Sequence, residues 1–274
     1  MANTYSTNSA PTLQASFMAD SNKSTTALRA LKVLETLAAS RTPVPVAVVA
    51  QQIGADRSTA YRMLLTLIDA GYVDRDASGK HYKLSYKVLS LTKYLQHDDR
   101  IAELVAASLR HISEQTRETV HYCVRDRFES VLLYRVHGTQ RVAIDFKIGD
   151  RAPLHCTSIG KVLLCFEGED FLEQVLARGL PQFARRTIVE PEALRAELRR
   201  VRRQGFAYDE FEFADDMRCV AVPVFDKSGL LHGGISLSGP SSRYTQERLV
   251  ELRDCALREA RELSARLGFE KPAP

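Results

Sequence analysis

Apolar residues at helical spacing open the patterned part of the chain and predict two short helices in succession. The first begins at Ser24 or Thr25, because either hydroxyl can cap a helix, and two nearby prolines end it. Its apolar stripe consists of Ala27, Leu28, Leu31, Leu34, Leu37 and Ala38. The second helix covers residues 46–53, and Gly54 begins a tight turn after it.

A third predicted helix runs over residues 58–70 and ends at Gly71, a residue suited to a left-handed helix cap. Two short strands flank the polar turn at 76–80 and predict a β-hairpin. The next segment, 86–96, has the pattern of a short amphipathic helix, and a polar break follows it at 97–100.

Beyond residue 100 the pattern changes to a mixture of strands and helices. Strands are predicted near 120–125, 130–137, 142–147, 218–225 and 230–237. Helices are predicted at 101–116, 157–166, 171–176, 191–203 and 246–267. The predicted domains are therefore a helical domain with a hairpin at 24–85, a linker helix at 86–100 and a mixed domain at 101–268. The tails at 1–23 and 269–274 lie outside them, and the Ser- and Thr-rich first tail is predicted to be disordered.

Charge is distributed unevenly between these domains. Residues 1–97 hold 11 Lys and Arg against 6 Asp and Glu, a net charge of +5, whereas residues 98–274 have a net charge of −1. An excess of positive charge in the first domain is the sign expected of a surface that meets nucleic-acid phosphates.

Cysteine spacing and hydropathy argue against several classes of protein. The five cysteines form no CxxC pair and no Cys/His cluster, which argues against a metal site and favours reduced thiols. The longest apolar runs are too short to span a bilayer, and the N-terminal residues lack the pattern of a secretion signal. We therefore expect a cytoplasmic protein with no cofactor and no contact with a membrane.

The second and third helices have the features of a DNA-binding helix-turn-helix. Such helices cross at a steep angle, which requires a small residue in the first and a residue that tolerates positive φ at the turn. Ala50 and Gly54 occupy those positions. The third helix and the hairpin, acting as a wing, supply the predicted DNA contacts, which are Arg57, Ser58, Thr59, Tyr61, Arg62 and Lys80.

The alternative interpretation of this segment is a three-helix core with a solvated polar face. The small residue, the glycine turn, the polar outer face, the hairpin and the local positive charge occur together here, and their coincidence favours DNA binding. Ser58 and Thr59 are predicted either to satisfy the free backbone donors at the start of the third helix or to donate to a phosphate there.

Several motifs, in order along the chain, resemble the IclR family of bacterial transcriptional regulators. The first is Ala50-Gln51-Gln52-Ile53-Gly54 followed by Arg57-Ser58-Thr59-Ala60-Tyr61-Arg62-Met63-Leu64. The others are Pro153-Leu154-His155-Cys156-Thr157-Ser158-Ile159-Gly160-Lys161, Cys219-Val220-Ala221-Val222-Pro223-Val224-Phe225-Asp226 and Ile235-Ser236-Leu237-Ser238-Gly239-Pro240. The resemblance covers about 25–268. It implies an α+β fold: a winged helix-turn-helix joined by a linker helix to an α/β, GAF-like effector-binding domain.

A polar cluster at the start of an otherwise apolar helix is the local sign of a ligand site. Hydroxyls and free backbone donors there suit a carboxylate, although local sequence alone favours the simpler interpretation that Thr157 or Ser158 only caps the helix. The resemblance implies an effector pocket lined by Leu154, Cys156, Thr157, Ser158, Ile159, Gly160, Asp209, Cys219, Ala221, Ser236 and Ser238. Ser158 stands where the family often has alanine, which indicates a more polar ligand end.

The resemblance implies a ligand-responsive DNA-binding regulator that controls a catabolic operon in response to a small organic or aromatic acid. Its expected partners are double-stranded DNA carrying a palindromic or near-palindromic operator, the acid, and further copies of the chain in a homodimer or homotetramer. Contact with RNA polymerase, and the choice between activation and repression, stay open.

An enzyme that uses Cys156 with His155, and the first domain only for dimerisation, is the alternative from another class. Neighbouring positions do not establish a nucleophile–base geometry, and no orienting carboxylate is evident. We therefore predict a regulator with no catalytic residue.

Overall fold

The chain forms two compact units, Met1–Leu95 and Gln96–Pro274, in the computed structural model. The structure describes residues 23–93 and 99–270. Nearly all of the tail predicted to be disordered, and the end of the C-terminal tail, lie outside these residues. Along the chain, the boundary between the two units falls within the predicted linker segment. Within the described ranges, no helix has the length and apolar character needed to cross a membrane.

The N-terminal unit consists of three α-helices, three short strands and a 3-10 helix. In chain order these are α1 (Thr25–Ala38), β1 (Val44–Pro45), α2 (Val46–Ile53), α3 (Arg57–Asp69), β2 (Val73–Arg75), β3 (His81–Leu84) and the 3-10 helix (Tyr86–Thr92). The strands form one antiparallel sheet in the order β1-β3-β2. This is the predicted helix-turn-helix with a hairpin, to which β1 adds a short strand that the sequence did not predict.

The core of the N-terminal unit confirms only part of the predicted leucine stripe. Val33 and Leu37 of α1 are buried against α2 and α3, whereas Leu28 and Leu31 are 44% and 57% exposed. The predicted amphipathic α-helix at 86–96 is a 3-10 helix up to Thr92, and residues 94–98 lie outside the described part of the chain. Its apolar side chains have no core of their own unit to enter, so packing does not favour a regular helix there.

The C-terminal unit places five helices around a six-stranded sheet. Its elements are α4 (Asp99–Thr116), β4 (Val120–Asp126), β5 (Glu129–Val136), β6 (Arg151–Pro153), α5 (Ser158–Cys165), α6 (Glu169–Ala177), α7 (Pro191–Gln204), β7 (Ala207–Glu210), β8 (Met217–Phe225), β9 (Leu231–Pro240) and α8 (Gln246–Arg266). The sheet is antiparallel in the order β6-β5-β4-β9-β8-β7. The predicted helices are confirmed to within two residues at each end.

One predicted strand is wrong. Residues 142–147 alternate like a strand but form none, because β6 occupies the edge of β5 that this segment would need. Instead the segment is irregular, and Arg135 of β5 binds Asp145 and the Phe146 carbonyl oxygen within it. The short strands β6 and β7 were not predicted from the sequence.

The two faces of the sheet bury separate cores. One face packs against α4 and α8, in a core that contains Leu109, Val220 and Leu252. The other face packs against α5, α6 and α7, in a core that contains Leu163 and Ala221. Side chains alternate between the two faces along a strand, so every second residue of β4, β8 and β9 points to the second face. Polar side chains on that face are therefore held beneath the start of α5.

Candidate functional site

The turn between α2 and α3 is built from the two small residues that the sequence indicates. Gly54 has φ +61° and caps α2, and the Ala55 amide donates to the Ala50 carbonyl oxygen at 3.0 Å. Ala50 and Ala60 are both buried where the two helices meet. Arg29 of α1 donates to the Gly54 carbonyl oxygen at 3.4 Å, which ties the turn to the first helix.

The start of α3 is capped by Asp56, a residue that the sequence analysis did not select. Its carboxylate accepts from the Thr59 amide at 2.9 Å, and from the Ser58 and Thr59 hydroxyls at 2.7 Å each. These hydrogen bonds hold the pKa of Asp56 well below its usual range, with that from the Ser58 hydroxyl contributing most. The expectation that Ser58 and Thr59 cap α3 is therefore wrong. Asp56 caps the helix instead, and both hydroxyls donate to its carboxylate.

The outer face of α3 carries three large polar side chains. Arg57, Tyr61 and Arg62 are exposed, and neither arginine forms an ion pair with any residue that the structure describes. Arg75 of β2 lies beside them: its guanidinium donates to the Tyr61 hydroxyl at 3.4 Å and sits 5.9 Å from the centre of that ring. Arg75 was not predicted as a site residue, since only the packing of the hairpin on α3 brings it there.

The hairpin tip is organised by Asp76. Its carboxylate accepts from the Ser78 hydroxyl at 2.8 Å and from the Lys80 and His81 amides at 3.2 Å each. These contacts, led by the Ser78 hydroxyl, lower the pKa of Asp76 to about 2. Lys80 is exposed on this fixed turn. Unpaired cations on a helix face and a hairpin tip are suited to phosphates and base edges.

A cavity in the C-terminal unit lies between the second face of the sheet and the start of α5. The space between its walls is about 490 Å³, including the opening to solvent. Its walls are formed by His121, Cys123, Ser130, Leu132, Phe146, Asp150, Arg151, Ala152, Thr157, Ser158, Ile159, Asp209, Phe213, Met217, Cys219, Ser236 and Ser238. Seven of the eleven predicted effector residues are among them.

Strand register explains why residues distant in sequence meet at this cavity. Cys219 of β8 pairs with Asp209 of β7 on one side and with Ser238 of β9 on the other. Two residues along β9, Ser236 pairs with His121 of β4. Directly opposed residues in antiparallel strands point to the same face, so these side chains form two polar rows across the cavity floor.

The start of α5 contributes hydrogen-bond donors at the other side of the cavity. Thr157 caps the helix: its hydroxyl accepts from the Gly160 amide at 3.0 Å and donates to the Pro153 carbonyl oxygen at 2.8 Å. The hydroxyl proton of Thr157 is thus already used, as the capping alternative predicted. The Ser158 hydroxyl faces the same cavity and forms no hydrogen bond with a described residue, so it remains available as a donor.

Four predicted effector residues lie behind the cavity wall. Leu154, Cys156 and Ala221 are buried in the protein core and do not line the cavity. At Gly160 a Cβ atom would lie 2.5 Å from the Pro153 carbonyl oxygen and 2.6 Å from Leu154 Cα. The absence of a side chain at Gly160 therefore lets α5 approach the preceding loop, and these four residues support the wall without forming its surface.

Asp209 is the buried carboxyl group of the cavity. Its Oδ1 atom accepts from the Glu212 amide at 2.8 Å, and its Oδ2 atom has no hydrogen-bond partner among the described residues. Burial raises the pKa of Asp209 to about 7, and the charge of Glu212 adds to the effect while Lys161 opposes it. Lys161 is itself buried and is bound by the carboxylates of Glu197, at 3.1 Å, and Glu212.

The remaining wall residues were missed because no local pattern marks them. Leu132 lies on a neighbouring strand, Phe146 on the irregular segment 137–150, Phe213 in the turn before β8 and Met217 at the start of β8. The sequence around His121 predicts an ordinary core strand. Strand register and the packing of the two irregular segments bring these residues to one cavity.

The arrangement required for a cysteine nucleophile is absent from the loop before α5. His155 Nε2 lies 3.0 Å from the Pro181 carbonyl oxygen, and no hydrogen bond joins the ring to Cys156. Burial raises the pKa of the Cys156 thiol above its usual value, which disfavours the reactive thiolate. Among the described residues, no group of three or more His, Cys, Asp or Glu side chains is placed to hold a metal ion.

Comparison with known proteins agrees with both halves of this description. The family model of the IclR helix-turn-helix domain matches residues 26–77, and that of the bacterial transcriptional regulator IclR C-terminal domain matches residues 92–265. The regulator KdgR of Escherichia coli is 34% identical over 245 residues, which span 88% of this chain and 92% of KdgR. The E. coli repressor IclR is 30% identical over 243 residues, spanning 88% and 89% of the two chains.

Solved structures agree as well. The crystal structure of Thermotoga maritima IclR superposes with a TM-score of 0.73 at 30% identity, covering 89% of this chain and 99% of that one. The relatives named here are regulators of transcription and not enzymes, and family models match both units of the chain. The protein therefore belongs to the IclR family: it is a transcriptional regulator with a DNA-binding helix-turn-helix domain and a C-terminal domain that binds small-molecule effectors.

Proposed function

We propose that this protein binds a small organic acid in the cavity beneath α5 and, in response, changes its hold on the operator of a catabolic operon. The observation that carries the proposal is the pairing of free donors at the start of α5 with a largely apolar cavity. Backbone amides at a helix N-terminus and the helix dipole both favour a bound anion.

The carboxylate of the effector is assigned to the Ser158 hydroxyl and to the first backbone amides of α5, those of Ser158 and Ile159. The apolar or aromatic body of the acid then packs on Leu132, Phe146 and Phe213. The second polar end of the effector reaches the rows on the sheet, where the predicted residues are Asp209, Cys219, Ser236 and Ser238. Thr157, Leu154, Cys156, Gly160 and Ala221 hold these groups in place.

The operator is assigned to the outer face of α3 and to the wing. Arg57, Tyr61 and Arg62 reach the major groove, and Lys80 reaches the adjacent phosphates. Arg75 supports the Tyr61 ring and adds a further cation. Ser58 and Thr59 adjoin the phosphates at the start of α3 but contribute less than the arginines, because Asp56 accepts from both hydroxyls and from the Thr59 amide.

A homodimer, alone or within a homotetramer, is the proposed DNA-binding form. Its support is the exposed apolar area of the N-terminal unit, to which Leu28, Leu31, Tyr86, Leu89 and Leu91 contribute. Covering it with a second copy gives two-fold symmetry, and the operator is then palindromic or near-palindromic. The segment 86–100 carries the signal between the units. RNA polymerase is a further partner if the protein activates transcription.

A thermal-shift screen tests the sensing function. Wild-type protein and the Ser158→Ala variant are heated with mono- and dicarboxylic and aromatic acids, with the corresponding methyl esters and amides as controls. We expect at least one acid to raise the wild-type melting temperature, its ester or amide to have little effect, and the variant to respond more weakly. Stabilisation by esters as strong as that by acids would contradict a carboxylate site at α5.

A further inference from the structure

His121 is a buried polar residue of the cavity wall, and the proposed contacts with the carboxylate do not involve it. It is the second residue of β4, is 2% exposed and lines the cavity beside Ser236, its pairing partner on β9. Its Nε2 atom is shielded from solvent and has no hydrogen-bond partner among the residues that the structure describes. A buried polar atom without a partner is costly, so a ligand that supplies one gains affinity at this point.

The protonation state of the ring fixes which kind of partner fits. Burial lowers the pKa of His121 to about 4, with smaller contributions from the charges of Arg135 and His137, so the ring is neutral at physiological pH. A backbone hydrogen bond with Ser236 opposes this shift. The neutral ring has one donor and one acceptor nitrogen, and a hydroxyl group, which both donates and accepts, can pair with Nε2 in either tautomer.

We propose that the effector is a hydroxyl-bearing carboxylic acid and that His121 recognises its hydroxyl group through Nε2. The inference rests on the proposed sensing of an acid and specifies the chemistry of its second polar end. Asp209 Oδ2 is a second buried polar atom on the same sheet face without a hydrogen-bond partner among the described residues. Because the pKa of this carboxyl group is about 7, a hydroxyl group, which both donates and accepts, suits both of its charge states.

A neutral donor suits this position better than an ammonium group. The guanidinium of Arg135 lies close enough to disfavour a positive charge on His121, and it disfavours a ligand cation there in the same way. The Phe146 ring, edge-on to His121 with ring centres 5.7 Å apart, adds an apolar neighbour that favours an uncharged group. A hydroxyl meets both conditions.

Calorimetric titration with matched pairs of acids tests the proposal. The pairs are malate and succinate, lactate and propionate, and 4-hydroxybenzoate and benzoate, which differ only by a hydroxyl group. We expect the wild-type protein to bind the hydroxylated member of at least one pair about tenfold more tightly. His121→Phe keeps an aromatic ring without the acceptor and should abolish that preference while binding the unhydroxylated member within about threefold of wild type.

Ser158→Ala is the matched control, because it alters the carboxylate end of the same cavity. It should weaken both members of a pair alike and leave their ratio unchanged. Equal binding of both members of every pair by wild-type protein would overturn the hydroxyl assignment and leave acid sensing intact, and this comparison needs no variant. Retained preference in His121→Phe, or tighter binding of aspartate than of malate, would also overturn it. No binding of any acid would contradict the sensing function itself.

Discussion

At the scale of single residues, the polar atoms around the cavity divide into those already bound and those left for a ligand. The Thr157 hydroxyl both donates and accepts a hydrogen bond within the protein, whereas the hydroxyl of its neighbour Ser158 does neither. Asp209 is divided in the same way, with Oδ1 holding the turn at Glu212 and Oδ2 left without a partner. A residue that adjoins a ligand contact in the sequence therefore need not contact the ligand itself.

The ionisation of Asp209 predicts that acid binding weakens as pH rises. Below its pKa of about 7 the carboxyl group is neutral, and above it a second negative charge faces the bound acid. The affinity of wild-type protein for its tightest-binding acid should fall by about tenfold between pH 6 and pH 8, measured by calorimetry. Asp209→Asn removes the charge and should bind with similar affinity at both pH values.

The Asp209→Asn variant separates this dependence from that of other groups near Asp209. Lys161 binds the carboxylates of Glu197 and Glu212 beneath the floor, and burial raises the pKa of Glu212. Burial and the Asp209 charge raise the pKa of the Cys219 thiol well above its usual value. The same slope in Asp209→Asn as in wild type would show that another group titrates. A flat wild-type profile would show that the carboxyl group keeps one charge state when the acid binds.

Arg62 is predicted to be a direct operator contact. It is exposed on the outer face of α3 with no carboxylate partner in the described part of the chain. Arg62→Ala should lower operator affinity by tenfold or more in a gel shift, with unchanged circular dichroism. Lys32→Ala removes an equal charge from α1 and serves as the control. Equal retention by both variants would remove Arg62 from the contact set.

At the scale of elements, the position of α5 depends on close packing at Gly160. A Cβ atom there would meet backbone atoms of Pro153 and Leu154 at 2.5 and 2.6 Å, and backbone cannot move aside cheaply. Gly160→Ala should lower the free energy of unfolding by roughly 1–3 kcal/mol in urea denaturation. Gly168→Ser, at the open N-cap of α6, is the control and should change it little. Equal stability of the two variants would contradict this packing argument.

Periodicity in the sequence predicts the elements that bury one full face. It fails for segments whose structure depends on which strands pair. The helices of both units follow their apolar stripes, and the Ala50–Gly54 turn follows from residue size and φ. Residues 142–147 have strand character but no free sheet edge, so they remain irregular. The 3-10 helix Tyr86–Thr92 carries apolar residues that its own unit does not bury.

The candidate site was predicted only where a motif lies on one continuous segment. The start of α5 and the outer face of α3 are such segments, and the structure places Ser158 and Arg62 at a cavity and on a surface respectively. His121, Arg75 and Asp56 were not predicted, because no motif on a continuous segment marks them. The roles of the first two arise from strand register and tertiary packing, and Asp56 precedes the helix whose cap the neighbouring hydroxyls were expected to form.

At the scale of the whole molecule, the exposed leucines of the N-terminal unit predict its assembly. Leu31→Glu together with Leu89→Glu should turn the dimeric protein into monomers, or tetramers into smaller species, in light scattering. Operator affinity should fall as well, because a monomer cannot bind both half-sites at once. Leu230→Glu is the control, since Leu230 is a similarly exposed leucine of the C-terminal unit. An unchanged oligomer in the double variant would place the dimer surface elsewhere.

The proposed switch requires that the acid and the operator affect each other's binding equally. Two sites coupled through one equilibrium obey this reciprocity, whichever direction the effect takes. A ligand that binds both arrangements of the protein equally well shifts nothing. Coupling between the two units is therefore the central claim of the account, beyond the binding of either ligand alone.

The most direct test measures operator affinity by fluorescence anisotropy with and without the tightest-binding acid, and acid affinity by calorimetry with and without operator. Both dissociation constants should change by the same factor, of about five- to 150-fold, in wild-type protein. Ser158→Ala should bind operator normally and need more acid for the same change. Operator affinity that stays constant at saturating acid would contradict the proposed coupling of the two sites.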